Sequence, residues 1–207
     1  MTTIERDAIA LRRAQIPQAA AAAARAFHDD AMFSYIFPDP AARPRQLRRF
    51  LRAGLRYGML YGDVTTTPDG AGTAIWLTPG QTEISPMRMV RAGMAALPLT
   101  IGLAAFRRFL TFVSYGDEVH AGLMHEPHWY LLNLAVDPPR QRQGVGSALI
   151  APMLARADHA GQPCYLETNA PENLSFYARH GFKVAYEGRV PGSGTAFWAL
   201  IRRPRLG

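Results

Sequence analysis

Apolar positions recur along this chain with two periods, near 3.6 and near 2, and the switches between them divide it into elements. Ala8 to Arg12 reads as a short strand, and the alanine-rich stretch Gln15 to Phe27 as a helix that stops before the Pro38–Asp39–Pro40 turn. Across Ala42 to Tyr57, Leu47, Phe50, Leu51 and Leu55 share one helical face, while Arg45, Arg48, Arg49, Arg52 and Arg56 lie largely on another. Gly62–Thr67 and Ala71–Leu77, separated by Pro68–Asp69–Gly70, predict a hairpin. Thr78 to His128 is mostly helical by pattern, rich in Met, Leu and Phe, with breaks at Pro86 and Pro98.

From Trp129 the pattern changes. Trp129 to Val136 is nearly continuous apolar sequence, as expected of a strand covered on both faces. A polar loop, Asp137 to Gln143, leads through Gly144-Val145-Gly146 into a helix reaching about Ala160. Gly161 caps that helix, and Pro163 to Thr168 is the next buried strand. Pro171 to His180 predicts a helix ended by Gly181, and strands near Phe182–Glu187 and Thr195–Ile201 complete the pattern. Strand, helix, strand, helix, strand gives an α/β core with a parallel crossover.

Composition narrows the classes. The 207 residues suit one domain, and 48% hydrophobic content supplies a sizeable core. Lys and Arg number 23 against 16 Asp and Glu, a net charge of +7, and all but Lys183 of those cations are arginine. A P-loop needs a lysine after its glycines, so that class is excluded. The basic balance invites a nucleic-acid reading, but no RNP, zinc-finger or helix-turn-helix signature accompanies the arginine face, and a solvated helix surface accounts for it. Cys164 is the single cysteine, which excludes an intramolecular disulfide and a multi-thiolate zinc site and fits a reducing compartment. Glu5, Arg6 and Asp7 with the short Ala19–Ala24 run do not make a signal segment, and Ala92 to Phe106 is broken by Pro98. The expectation is a soluble cytoplasmic protein that does not cross a membrane.

The strand–glycine–helix passage carries the chemistry. A helix N-terminus presents unpaired N–H groups and partial positive charge, and glycines let a ligand approach the backbone, so a phosphate or pyrophosphate is the natural occupant. Arg140 and Arg142 add charge there. A dinucleotide fingerprint would need Gly or Ala where Leu149 stands, and too few residues follow Glu167 to complete a doubly wound sheet. Gln141-Arg142-Gln143-Gly144-Val145-Gly146 instead resembles the Q/R-x-x-G-x-G/A signature of the GNAT superfamily of N-acetyltransferases. Asn173-Leu174-Ser175-Phe176-Tyr177-Ala178-Arg179-His180-Gly181-Phe182 resembles that superfamily's later Asn…Phe-Tyr-x-x-x-Gly-Phe element. Within it, Glu126 to Leu131, Leu166 to Leu174 and the Arg-Pro ending are similar to puromycin N-acetyltransferases.

The resemblance implies a mixed central sheet flanked by helices, here with a helical insertion between the third and fourth strands. It implies acetyl-coenzyme A as co-substrate, its pyrophosphate on the amides of Arg142, Gln143, Gly144, Val145, Gly146 and Ser147 beside Gln141. The strand before the loop would splay from the next, so that Leu134, Ala135 and Val136 hold the pantetheine arm and polarise the thioester carbonyl. Asn173 would approach the same arm. Tyr177 shares a helix face with Leu174, Ala178 and Gly181, as a core tyrosine would. The resemblance makes it the general acid for the departing thiolate. A phenol and a thiol differ by about 1.5 pKa units, roughly 2 kcal/mol, which a positioned hydrogen bond can offset.

Glu167 ends a strand beside the expected thioester and alternates away from Cys164 and Leu166, which makes it the first candidate for general base. His120, His125 and His128 are alternatives by intrinsic pKa, and their spacing follows no zinc template, so no metal is expected. Insertions of this length are usually lids or binding elements. Its Met and aromatic residues with Asp117, Glu118 and Glu126 suit an amphipathic small-molecule amine. The expected reaction is direct transfer of acetyl to a primary amine of a small molecule. A protein lysine acceptor and a non-catalytic acyl-coenzyme A sensor are the alternatives.

Overall fold

The computed structural model describes residues 8–205, so Glu5, Arg6 and Asp7 lie outside the described residues. The chain runs β1 (Ile9–Ala10), α1 (Ile16–Ala26), α2 (Ala31–Ile36), α3 (Arg43–Tyr61), β2 (Gly62–Thr66), β3 (Gly72–Leu77), α4 (Pro86–Arg91), α5 (Leu97–Ile101) and α6 (Leu103–Leu123). It continues with β4 (Trp129–Val136), α7 (Val145–His159), β5 (Cys164–Thr168), α8 (Leu174–Arg179), β6 (Lys183–Arg189) and β7 (Ala196–Arg202). The seven strands form one sheet in the order β1-β2-β3-β4-β5-β7-β6. Only β4 and β5 pair in parallel, and α7 is the crossover between them.

Both faces of the sheet are covered, which is why β3 is buried at every position. One core lies under α1, α3 and α6, and the other joins α7 and α8 to the opposite face. The alanines of α1 permit close packing on α3. The apolar face of α3 turns inward, leaving Arg45, Arg48, Arg49, Arg52 and Arg56 exposed. Arg43 is the exception: buried, it donates to the carbonyls of Phe37, His28 and Pro38 and ties the α1–α2 turns to α3.

Two departures from the sequence reading matter. The helix α2 falls in a stretch with no visible period and is fixed by Asp30, whose carboxylate caps Phe33 N–H at 3.1 Å. The insertion is less helical at its start than its composition suggests: residues 78–85 have no regular structure, and α4 and α5 are short. Its organising element is α6, which turns sharply from α5 at Gly102 with φ +92°.

The sheet opens at one place. β4 and β5 pair through Trp129–Leu131 and Cys164–Leu166 and no further, so the rest of β4 has no partner on that side. On its other side, Ile75 faces Asn133 while Trp76 faces Leu131, leaving Leu132 as an extra residue. A bulge bends the strand that carries it, and this one sits where β4 departs from β5.

Candidate active site

A cavity of about 230 Å³ lies where the two strands part. Its sheet side is made by Asn133 and Leu134 of β4, Glu167 and Thr168 of β5, and the following Asn169, with Asn173 and Tyr177 beyond. Its other walls come from the α1–α2 turn, α3, α4 and α6.

Glu167 is nearly enclosed within it. Tyr165, two residues earlier on the same strand face, donates its phenol to Glu167 Oε1 at 2.8 Å, and Tyr130 adds a second phenol from β4. Gly116 of α6 lies against the carboxylate, since a Cβ there would sit 2.9 Å from Oε2. Burial raises the Glu167 pKa to about 7, partly opposed by the two phenols, and Asp117 pushes in the same direction as burial. A carboxylate poised near neutrality suits a proton acceptor. Asp117 also lines the cavity, its pKa raised by burial and by Glu83.

Tyr177 is buried on α8 and lines the same cavity, and burial raises its phenol pKa, which keeps it protonated. It packs edge-on against Phe176 and Phe182. Asn173 precedes it at the helix start.

The glycine loop lies beyond the unpaired stretch of β4. Gly144 starts α7 in the left-handed region at φ +81°, and Arg142 holds φ +58°, an unusual conformation for a side-chain-bearing residue. The backbone N–H groups of Arg142 through Ser147 meet no protein acceptor among the described residues. That is the donor set an anion needs, and the free edge of β4 adds peptide groups for an extended arm, so these residues fit a pyrophosphate-bearing acyl thioester. Gln141 and Gln143 shape the loop, donating to the carbonyls of Val136 and Pro139. The Ser147 hydroxyl hydrogen-bonds His180 at 2.9 Å. Arg140 is committed to Asp69 at 2.7 Å, which leaves Arg142 as the loop's exposed cation. Gly146 packs on Phe176, 3.3 Å from where a Cβ would sit, so its smallness also serves helix packing.

The sequence-derived acceptor residues separate. Glu118 follows Asp117 by about 100° around the helix, so it faces a surface groove beside Arg107 and Tyr115 instead. Glu126 follows α6 and pairs with Arg203 at the surface. His120 and His128 meet each other, Nε2 to Nε2 at 2.7 Å, and His128 Nδ1 contacts the Glu126 carbonyl at 2.7 Å. Burial and the neighbouring His128 lower His120 to about 4, and it stacks on Tyr165 at 4.5 Å, a structural support under Glu167. His125 is exposed. Burial raises Cys164 to about 12, which makes it a core residue.

Sequence reasoning missed Tyr165, Tyr130, Gly116 and Asp30. The strand alternation that pointed to Glu167 also places Tyr165 on its face, so that signal was available. Gly116 and Asp30 reach the cavity only through tertiary packing.

Residues 107–184 match the model of the acetyltransferase (GNAT) domain. An uncharacterized N-acetyltransferase of Schizosaccharomyces pombe is 26% identical over 173 residues, 80% of this chain and 69% of the relative. Among solved structures, one described as histone acetyltransferase HPA2 and related acetyltransferase, from Corynebacterium glutamicum, superposes with a TM-score of 0.70 at 23% identity, covering 97% of each chain. Arylalkylamine N-acetyltransferase 2 of Aedes aegypti superposes at 0.57 with 12% identity, over 96% of this chain and 98% of that one. With its open β4–β5 junction and its glycine loop, this chain has the GNAT fold, and the acetyltransferase domain match over residues 107–184 together with the N-acetyltransferase relative supports an acyltransferase enzyme.

Proposed function

We propose that the enzyme transfers acetyl from acetyl-coenzyme A to a primary amine of a small molecule by direct attack. The observation that carries this is the charge of the cavity. In a chain of net charge +7, Asp30, Asp117 and Glu167 line it, and no arginine, lysine or histidine does among the described residues. Such a cavity collects a cation and excludes anionic acceptors.

Acetyl-coenzyme A supplies the activated thioester. The amides from Arg142 to Ser147 would hold its pyrophosphate, with Gln141 bracing the loop. Leu134, Ala135 and Val136 would pair with the pantetheine arm and place an N–H on the carbonyl oxygen. Asn173 would steady that arm from α8. Asp117 would attract the ammonium, Glu167 would take its proton, and Tyr177 would return a proton to the leaving thiolate. Glu118 and Glu126, which face elsewhere, are assigned no contact with the amine. The similarity to puromycin N-acetyltransferases rests on the quoted sequence stretches and suggests that aminonucleosides belong in any acceptor screen. A single buried thiol supports a reducing, cytoplasmic setting.

The test is release of coenzyme A thiol over a panel of amines including puromycin and lysine peptides. Asp117→Asn should raise the amine KM about tenfold without changing the acetyl-coenzyme A KM, and Glu118→Gln should change neither. Efficient acetylation of lysine in folded proteins, with no small amine accepted, would overturn the proposal.

A further inference from the structure

The cavity is polarised along its length. Its amide and hydroxyl groups, from Asn133, Thr168, Asn169 and Asn173, belong to the end where β4 and β5 part. Beside that end stand Glu167 and, on α6, Asp117. The other walls are mostly hydrocarbon: Phe27 after α1, Phe33 of α2, Phe50 of α3, Met89 of α4, and Phe109 and Phe112 of α6, while the Tyr57 phenol of α3 is turned to the Glu83 carbonyl at 3.3 Å. Asp30 is the one carboxylate on that side, and its Oδ1 accepts the Phe33 N–H.

The aromatic walls form a connected herringbone. Phe27 and Phe33 lie 5.2 Å apart, Phe33 and Phe50 meet edge-on at 5.6 Å, and Phe50 and Phe109 edge-on at 4.8 Å. A further ring entering this array gains the same edge-to-face contacts. Met89 and Met94 provide unbranched side chains that adjust to its outline. A hydroxyl or second ammonium seated among the phenylalanine rings, out of reach of Asp30, would be stripped of water with no partner, at about tenfold or more in affinity for each.

We infer that the acceptor is an aromatic monoamine, its ammonium at Glu167 and Asp117 and its ring among Phe33, Phe50, Phe109 and Phe112. This rests on the reading of the cavity as the acceptor site and adds the chemistry of the acceptor's body. The reaction balances without a further co-reactant. The amine nitrogen bonds to the acetyl carbon, the carbon–sulfur bond breaks, one ammonium proton goes to Glu167 and another is lost from nitrogen as the thiolate is protonated.

The experiment compares 2-phenylethylamine, n-hexylamine, putrescine, glucosamine and a lysine-containing peptide by thiol release. Binding of each to the protein with coenzyme A present is measured in parallel by thermal shift. The expected order puts 2-phenylethylamine first in kcat/KM, at least fivefold above hexylamine and at least 100-fold above the other three. Val113→Asn, a polar group at the apolar wall, should raise the KM for 2-phenylethylamine about tenfold and leave that for acetyl-coenzyme A unchanged. Hexylamine equal to 2-phenylethylamine would overturn the aromatic assignment, and putrescine, glucosamine or peptide equal or better would overturn the inference altogether. Selective binding of 2-phenylethylamine without turnover would instead overturn the proposed reaction and leave the recognition intact. Absence of that binding would overturn the inference whatever the turnover.

Discussion

The two parts of the candidate site are built by opposite means. At the glycine loop, beyond the cavity, the candidate groups are backbone: the amides of residues 142–147 and the free edge of β4, exposed by a bulge and a left-handed glycine. At the far end they are side chains delivered by the α1–α2 turn, α3, α4 and α6, elements separated by up to about half the chain. A backbone site constrains sequence to glycine at a few neighbouring positions and so leaves a local motif. A side-chain site assembled from distant elements tolerates many residue choices and leaves none. The lesson is that the common half of the reaction is written locally and the particular half is written in three dimensions.

The sharpest test of that contrast sits at the junction. Glu167→Gln should lower kcat/KM by about 10³-fold at neutral pH and remove an acidic limb centred near pH 7, with acetyl-coenzyme A affinity retained. The same variant has a stability signature. Glu167 binds its proton more tightly in the folded state than in the unfolded chain, so the stability it contributes is present below about pH 4.5 and is lost as pH rises through about 7. Glu167→Gln should therefore be more stable than the parent at pH 8, by up to about 3 kcal/mol in denaturant titration, and no more stable at pH 4.

Tyr177→Phe comes next, with kcat down about 10²-fold and acetyl-coenzyme A affinity intact, read by pre-steady-state thiol release and calorimetry. Near-normal turnover would return Tyr177 to a packing role against Phe176 and Phe182. Gly146→Asp should weaken acetyl-coenzyme A binding at least tenfold while sparing the amine KM. Gly146→Ala serves as its control, because it places the same Cβ against Phe176 without adding charge. If both variants weaken binding alike, Gly146 is a packing glycine. The smallest effect is expected for Tyr165→Phe. Losing one of two phenols on Glu167 should move the acidic limb upward by about one unit and leave the alkaline plateau within about twofold.

The element pattern shows how far sequence reaches. The strand at Trp129–Val136, the loop and α7 declare themselves because burial on both faces and glycine both leave one-dimensional marks. Glu167 and Tyr177 were visible from alternation and motif. The short α2 was not, because six residues show less than two helical turns and its only signal was Asp30. Glu118 shows the reverse limit: adjacency to Asp117 in sequence implies separation around a helix. Glu126 was drawn into a surface pair by Arg203, which lies 77 positions away.

Three successive residues of α6 have different assignments. Tyr115 hydrogen-bonds Tyr186 of β6 at 2.9 Å, Gly116 makes room for Glu167, and Asp117 faces the cavity. Sliding the helix by one position would place a bulky ring or an acid where the glycine must be, so its register is fixed from both sides. Phe109, Phe112 and Val113, one to two turns earlier, carry no such obligation toward the sheet. Volume-conserving exchanges at these three positions can therefore reshape the cavity wall while the Tyr-Gly-Asp triplet holds the helix in register, so α6 joins an adjustable surface to a fixed anchor.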